Sequence, residues 1–273
     1  MPRPEITGAI ITGASAGIGR ELVRQLVSHP ALKNLSVVVT ARRADRLQEL
    51  EASLPPGRIH VFPADLSSET DRAALFEFAL AMLPRLDLVV NNAGLGAYGP
   101  FETMSPEKIR SIFAVDFEAL ADLTARAIRD MKPRGYGQIV QVSSILGEVG
   151  LPYSAAYVAA KHAVNGLVKS IHYELVGSGV SVWAACPGQT VSEFRQTAGQ
   201  GNASQKGRHA EPTEKVVAGI VRGIVRHQPK ALYYPTWNPW MIAQLARISP
   251  RFWDFIMVRY GRQIARDDLG PSE

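Results

Sequence analysis

The sequence predicts an α/β fold in which one doubly wound, parallel sheet carries helices on both faces. Three observations point there. Short β-branched runs alternate with amphipathic segments from residue 6 to residue 235. A glycine-rich turn, TGASAGIG, joins the first run to the first amphipathic segment. The chain of 273 residues is 46% hydrophobic, enough for a full core, and contains no linker-like stretch or internal repeat that would divide it. Strands that alternate with helices pair in parallel, and right-handed crossovers distribute the helices over both faces.

The elements follow in order. ITGAIIT (6–12) and LSVVVTA (35–41) read as strands around the helix GIGRELVRQLVSH, in which Ile18, Leu22 and Leu26 recur at helical spacing. Next come strand IHVF (59–62), a helix over 68–83, strand DLVVN (87–91), a helix over roughly 105–131 and strand QIVQVS (138–143). A helix over 153–176 and strand VSVWAA (180–185) continue the alternation; EKVVAGIVRGIV (214–225) is a helix and ALYYP (231–235) the last strand. The polar, glycine-containing segment 194–212 between them is read as a substrate lid, because a long stretch without periodicity inside a compact domain is usually functional.

Composition excludes several classes. The apolar segment after MPRPEITGAII stops at Gly13, too short for a signal peptide or a spanning helix, so a cytoplasmic protein is expected. One cysteine, Cys186, permits no internal disulfide, and the six histidines form no metal-ligand spacing with it. No metal is expected. The net charge is +5, but Lys and Arg are scattered among 25 acids rather than gathered into a stripe, so no nucleic-acid partner is expected.

Ligands of such a sheet sit beyond the carboxyl ends of its strands. In TGASAGIG, Gly13, Gly17 and Gly19 permit a tight turn and close backbone approach, and the following helix offers free N–H groups and a positive dipole end to a pyrophosphate. Ser15 and Ile18 lie in the same turn and are candidate contacts. A dinucleotide is therefore the expected cofactor. An NAD site usually ends the second strand with an acid that bonds the ribose 2′-hydroxyl; here Ala41 stands there, followed by Arg42 and Arg43. Guanidinium groups match phosphate, which favours NADP(H) over NAD(H). The alternative is that the two arginines merely open a solvated helix.

With TGASAGIG, NNAG (91–94), a serine thirteen residues before YVAAK (157–161), and CPG (186–188) in that order, the chain resembles the short-chain dehydrogenase/reductase family over about residues 5–195. The resemblance implies a Rossmann domain with a seven-stranded parallel sheet, hydride transfer between a nicotinamide and an alcohol or carbonyl, and a homo-oligomer, dimeric or tetrameric. Carried over by position, it implies Asp65 and Leu66 at the adenine, and Asn91, Ala93 and Gly94 at the sheet end and cofactor. Pro187 and Gly188 would face the nicotinamide, with Ser192 reaching its carboxamide and Thr190 a nearby competitor.

Tyr157 alone reads as a packed aromatic, but Lys161 one helical turn later shares its face. A phenol titrates near pH ~10, and a neighbouring ammonium favours the phenolate, which would make Tyr157 a usable general acid or base. The resemblance adds that Lys161 also bonds the nicotinamide ribose and that Ser144 orients the substrate carbonyl. Ser143, one strand residue earlier, should point to the opposite face. Where many members carry an asparagine that holds a relay water, this sequence has Asp116, after Val115. A carboxylate accepts a hydrogen bond but donates none, and its charge would keep Lys161 protonated. Asp116 therefore either keeps the relay with altered pH behaviour or breaks it.

Leu95, Leu151, Pro152 and Tyr153 line the substrate site by the same resemblance and supply no charge, so an apolar ketone, aldehyde or secondary alcohol is expected. His162 and Cys186 are read as structural. The aromatic tail, 236–266, reads as two short amphipathic helices broken near Pro250. It would pack on the body or a partner subunit, wall an apolar substrate, or dock peripherally on a membrane. The whole reads as an NADP(H)-dependent oxidoreductase; the alternative is a catalytically weak NADP(H)-binding sensor or docking protein.

Overall fold

The computed structural model describes residues 4–191, 193–194, 210–228 and 230–267. Its strands are β1 (Gly8–Thr12), β2 (Ser36–Thr40), β3 (Ile59–Val61), β4 (Leu88–Asn91), β5 (Gly137–Val142), β6 (Val180–Ala185) and β7 (Leu232–Tyr233). All pair in parallel, in the order β3-β2-β1-β4-β5-β6-β7. The chain winds outward from β1 to β3, then returns to β4 on the other side. That reversal opens a crevice between the carboxyl ends of β1 and β4.

The strands are apolar runs because both sheet faces are covered. On one face Ile11, Val37, Val39 and Val90 pack against α1 (Gly17–Val27), α2 (Ala44–Ala52) and α7 (Thr213–Arg226). On the other, Ile10, Val38, Val89 and Ile139 pack against α3 (Glu69–Met82), α5 (Leu120–Met131) and α6 (Ala155–Glu174). Residues alternate between the two cores along each strand, as the pleat requires.

The helix expected over 105–131 is interrupted. Ser105 caps α4 (Pro106–Phe113) by accepting from the Lys108 N–H, and α4 runs through one π-helical turn, Ala114–Ala119, before α5. The wider turn carries Asp116. Helix α2 opens directly after Arg42, with Arg43 at its N-cap. The arginines therefore both open a helix and stand at the end of β2.

The tail forms α8 (Trp237–Ile248) and α9 (Pro250–Asp267), with the break at Ser249. Ala243 of α8 packs on Ile145 and Val149 after β5. Glu148 accepts hydrogen bonds from Tyr234 and Arg247, tying the tail to the same loop. Among the described residues, no helix is long and apolar enough to cross a membrane. His162 is exposed, and Cys186 is buried, where desolvation pushes its thiol pKa up.

Trp183 is the largest fully buried side chain; its Nε1 donates to Gln138 Oε1 at 2.8 Å, and its ring meets Tyr233 edge-on. Trp183→Ala should cost about 3–5 kcal/mol, seen as a lower denaturation midpoint at unchanged slope. A loss under about 1 kcal/mol would show that this half of the core can collapse around the gap.

Candidate active site

A cavity of about 670 Å³ opens at the β1/β4 reversal, lined from the turn after β1, the ends of β2, β4, β5 and β6, helix α6 and the tail. At its floor, Gly13 and Gly17 have φ of +68° and +53°, conformations that favour glycine. A side chain at Gly13 would place Cβ 2.8 Å from Asn92 Nδ2. Gly19 does not line the cavity: its Cβ would lie 2.3 Å from the Gly13 carbonyl, so it lets α1 pack on the turn. No side chain caps α1, so its first N–H groups are left for a ligand at the cavity. Ser15 and Ile18 also face the cavity. The turn thus fits a pyrophosphate.

Asn92 holds this turn to β4. Its Nδ2 donates to the carbonyls of Thr12 (2.9 Å) and Gly13 (3.3 Å), while Thr12 Oγ1 accepts from the N–H groups of Asn92 and Ala93. The expectation for Asn91 needs correction. Asn91 lies at the end of β4 and turns into the helical layer, where its Nδ2 donates to Thr124 Oγ1 at 3.3 Å. Neighbouring residues point to opposite faces, so Asn92 takes the cavity position together with Ala93 and Gly94. NNAG contained that signal in its second asparagine.

Arg42, Arg43, Asp65 and Leu66 line the adjoining corner with Ser15. Arg43 donates to Ser15 Oγ from Nη2 at 3.0 Å and from Nε at 3.3 Å, and its Nη1 lies 3.2 Å from Glu193 Oε2. Arg46 reaches both oxygens of Glu193, at 2.7 and 2.9 Å. These bonds, Arg46 first, hold the Glu193 carboxyl below its ordinary pKa. Asp65 accepts from the backbone and hydroxyl of Ser67, which lower its pKa likewise. Neither Arg46 nor Glu193 was singled out from the sequence. They are about 150 residues apart, and only the fold brings them together.

At the other end stand Ser144, Tyr157 and Lys161. Ser143 Oγ donates to Asn165 Oδ1 at 2.7 Å, whereas Ser144 Oγ accepts from the Leu146 N–H, and its hydroxyl favours the Tyr157 phenolate. Both serines lie beyond the end of β5 and both line the cavity, so the opposite-face expectation for Ser143 does not hold; what separates them is that the Ser143 hydroxyl is bonded to Asn165. Lys161 is buried; its Nζ lies 3.2 Å from Asp116 Oδ2, 3.4 Å from the Val142 carbonyl and 5.5 Å from the centre of the Tyr157 ring. Asp116 Oδ1 accepts from the Leu95 N–H. A Cβ on Gly94 would come 3.1 Å from Asp116 Oδ2, so the glycine permits this close packing.

Asp116 therefore stands behind the cavity wall, against Lys161, and is not among the cavity's lining residues. Burial raises its carboxyl pKa, opposed by Lys161 and the Leu95 N–H. Burial is the largest single effect on Lys161 and lowers its pKa, but the charge and hydrogen bond of Asp116 together with the charge of Tyr157 outweigh it, and the ammonium is held above its ordinary value. Tyr157 corrects the sequence expectation. Lys161 does favour its phenolate, yet burial is the larger effect and Asp116 adds to it, so the phenol pKa is raised.

The remaining wall is apolar. Leu95 and Leu151 face the cavity, joined by Ile242 of α8 and by Trp253, Met257 and Tyr260 of α9. Pro152 and Tyr153 are not among its lining residues: Pro152 packs beneath Gly261, and Tyr153, with φ of +61°, sets its ring 6.2 Å from Tyr98. Pro187, Gly188 and Thr190 complete the side beyond β6, and Phe194 packs on Tyr157 with ring centres 5.4 Å apart. Ser192 and most of the expected lid, 195–209, lie outside the described residues.

A glycine-cradled dinucleotide site beside a Ser-Tyr-Lys cluster defines a nicotinamide-dependent oxidoreductase class. A family model for short chain dehydrogenase matches residues 7–203, and the chain belongs to that family. It is 32% identical over 184 residues to D-beta-hydroxybutyrate dehydrogenase of Rhizobium meliloti, covering 67% of this chain and 71% of that relative. The fold is similar to that of a short-chain dehydrogenase from Sphingobium yanoikuyae in complex with NADPH, at TM-score 0.77 and 25% identity over 98% of this chain and 99% of the other. It is also similar to that of a Burkholderia phymatum short chain dehydrogenase/reductase in complex with NAD, at TM-score 0.80 and 20% identity over 93% and 97%.

Asp116 raises the pKa of both Lys161 and Tyr157, so removing its charge must lower both. Carbonyl reduction needs the neutral phenol and is lost as pH rises through its pKa. Asp116→Asn should therefore move the alkaline limb of the pH–rate profile for reduction to lower pH. An unmoved limb, or one moved to higher pH, would contradict the geometry.

Proposed function

We propose that the protein is an NADP(H)-dependent reductase of apolar ketones or aldehydes, running in reverse on the corresponding secondary alcohols. The observation that carries this reading is that Ser144, Tyr157 and the buried Lys161 line one cavity, where the glycine turn meets an apolar wall. When bound, reduced nicotinamide supplies the hydride. Ser144 and Tyr157 hydrogen-bond the substrate oxygen, and Tyr157 gives up its proton as negative charge develops there. The Lys161 ammonium stabilises the phenolate that remains. A phenol with a raised pKa is protonated at neutral pH, as reduction requires.

On the cofactor side, the glycine turn and the start of α1 would hold the pyrophosphate, Arg42 and Arg43 the 2′-phosphate, and Asp65 and Leu66 the adenine end. Lys161 would also bond the nicotinamide ribose, with Gly188, Thr190 and Ser192 toward the nicotinamide. Support for NADP(H) is the absence of an acid at Ala41 and the two arginines that follow it. The reading includes a cytoplasmic homo-oligomer whose tail packs on a partner subunit or, as the alternative, docks peripherally on a membrane. The exposed Trp237, Trp240, Met241, Ile248, Phe252 and Phe255 of α8 and α9 support a covered apolar face.

The test is titration with NADPH and NADH, followed by a panel of medium-chain and cyclic ketones and aldehydes. Tyr157→Phe should lower turnover at least ~10²-fold while NADPH affinity stays within about twofold. Tight NADPH binding by the wild type without oxidation by any carbonyl would favour the sensor. Failure to bind either coenzyme would overturn the dinucleotide reading.

A further inference from the structure

The corner that would receive the ribose 2′-group already contains an anion. In a doubly wound sheet the end of the second strand meets the adenosine ribose. Here that end carries Arg42 and Arg43, with Ser15 of the glycine turn beside them. The Glu193 carboxylate enters this corner from beyond β6 and lies between the guanidinium groups of Arg43 and Arg46, bonded through both oxygens. Carboxylate and phosphate present the same paired oxygens to a guanidinium fork.

We propose that Glu193 is an internal stand-in for the ribose 2′-phosphate and thereby a specificity-determining residue: the phosphate of NADP(H) must displace its carboxylate from Arg43 and Arg46, whereas NAD(H) leaves that contact intact. The inference rests on the dinucleotide reading above. Three features support it beyond position. Ser15, Arg43 and Glu193 all line the cavity, so the contact stands where a cofactor would pass. The pairing is half-exposed, with side chains of Arg43 and Glu193 each 44% accessible, and pairs of that exposure contribute little to folding. A dianionic phosphate has more charge than the carboxylate and can replace it on the same donors.

Glu193 therefore acts in two opposite ways. Toward NADP(H) it is a competitor that weakens binding. Toward NAD(H) it supplies the carboxylate missing at Ala41, standing near the 2′-hydroxyl. The next residue, Phe194, packs on Tyr157, so the competing anion is one residue from the reacting end of the cavity.

The experiment is calorimetric titration of the full chain and of Glu193→Gln with NADPH and NADH, without carbonyl substrate. Glu193→Gln should tighten NADPH binding about three- to tenfold, the effect of releasing two half-exposed charge pairs, and leave NADH binding unchanged or weaker. Equal tightening of both coenzymes, or NADPH affinity that is unchanged or reduced, would overturn the inference while leaving the dinucleotide reading in place. A wild type that binds neither coenzyme would overturn both. Equal melting temperatures of the two proteins would establish that the exposed substitution has not altered the fold.

Discussion

The site depends on one buried ion pair, Lys161 with Asp116. An ammonium withdrawn from water is costly unless a counter-charge and hydrogen bonds compensate it, and removing one partner of such a pair typically costs ~3–5 kcal/mol. Asp116 supplies the charge, and the Val142 carbonyl accepts a hydrogen bond from the ammonium. Asp116 is itself fixed by the Leu95 N–H, and Gly94 leaves room for it. The pair consequently joins four segments: α6, the π-helical turn, the loop after β4 and the end of β5. Tyr157 stands one turn from Lys161 on α6, so the phenol is placed by the same constraint.

That arrangement gives the two ends of the cavity different physics. At the cofactor end, backbone N–H groups, arginines and an uncapped helix start face a polyanion, and shape is set by glycines and Asn92. At the substrate end, burial dominates: it raises the Tyr157 pKa against the pull of Lys161, and α8 and α9 close the wall with aromatic and aliphatic side chains. A charged substrate would have to give up its hydration against that wall. The tail therefore lines the cavity with Ile242, Trp253, Met257 and Tyr260, while its outer stripe of Trp and Phe remains exposed.

Much of this was legible in the sequence because the signals are local. Parallel strands buried on both faces read as apolar runs, and TGASAGIG sits where strand gives way to helix. YVAAK places two side chains on one helical face without reference to the rest of the chain. Asp116 was also legible as a departure with a charge consequence, and the structure places that charge on Lys161. Other features depended on information the sequence does not hold locally. The π-helical turn reflects a shift in backbone hydrogen bonding rather than composition. Asn91 and Asn92 differ only in the face that the strand end gives them. The net effect on Tyr157 depends on how deeply the folded chain buries it, and the Arg43–Glu193–Arg46 contact depends on folding across about 150 residues.

Hydride transfer to a carbonyl within this cavity can be followed by isotope tracing. The protein would be incubated with reduced nicotinamide cofactor deuterated at C4 and with apolar ketones, and the alcohols analysed by mass spectrometry. One deuterium should appear on the carbinol carbon, from one of the two C4 faces only. Tight cofactor binding with no labelled alcohol from any ketone would contradict it.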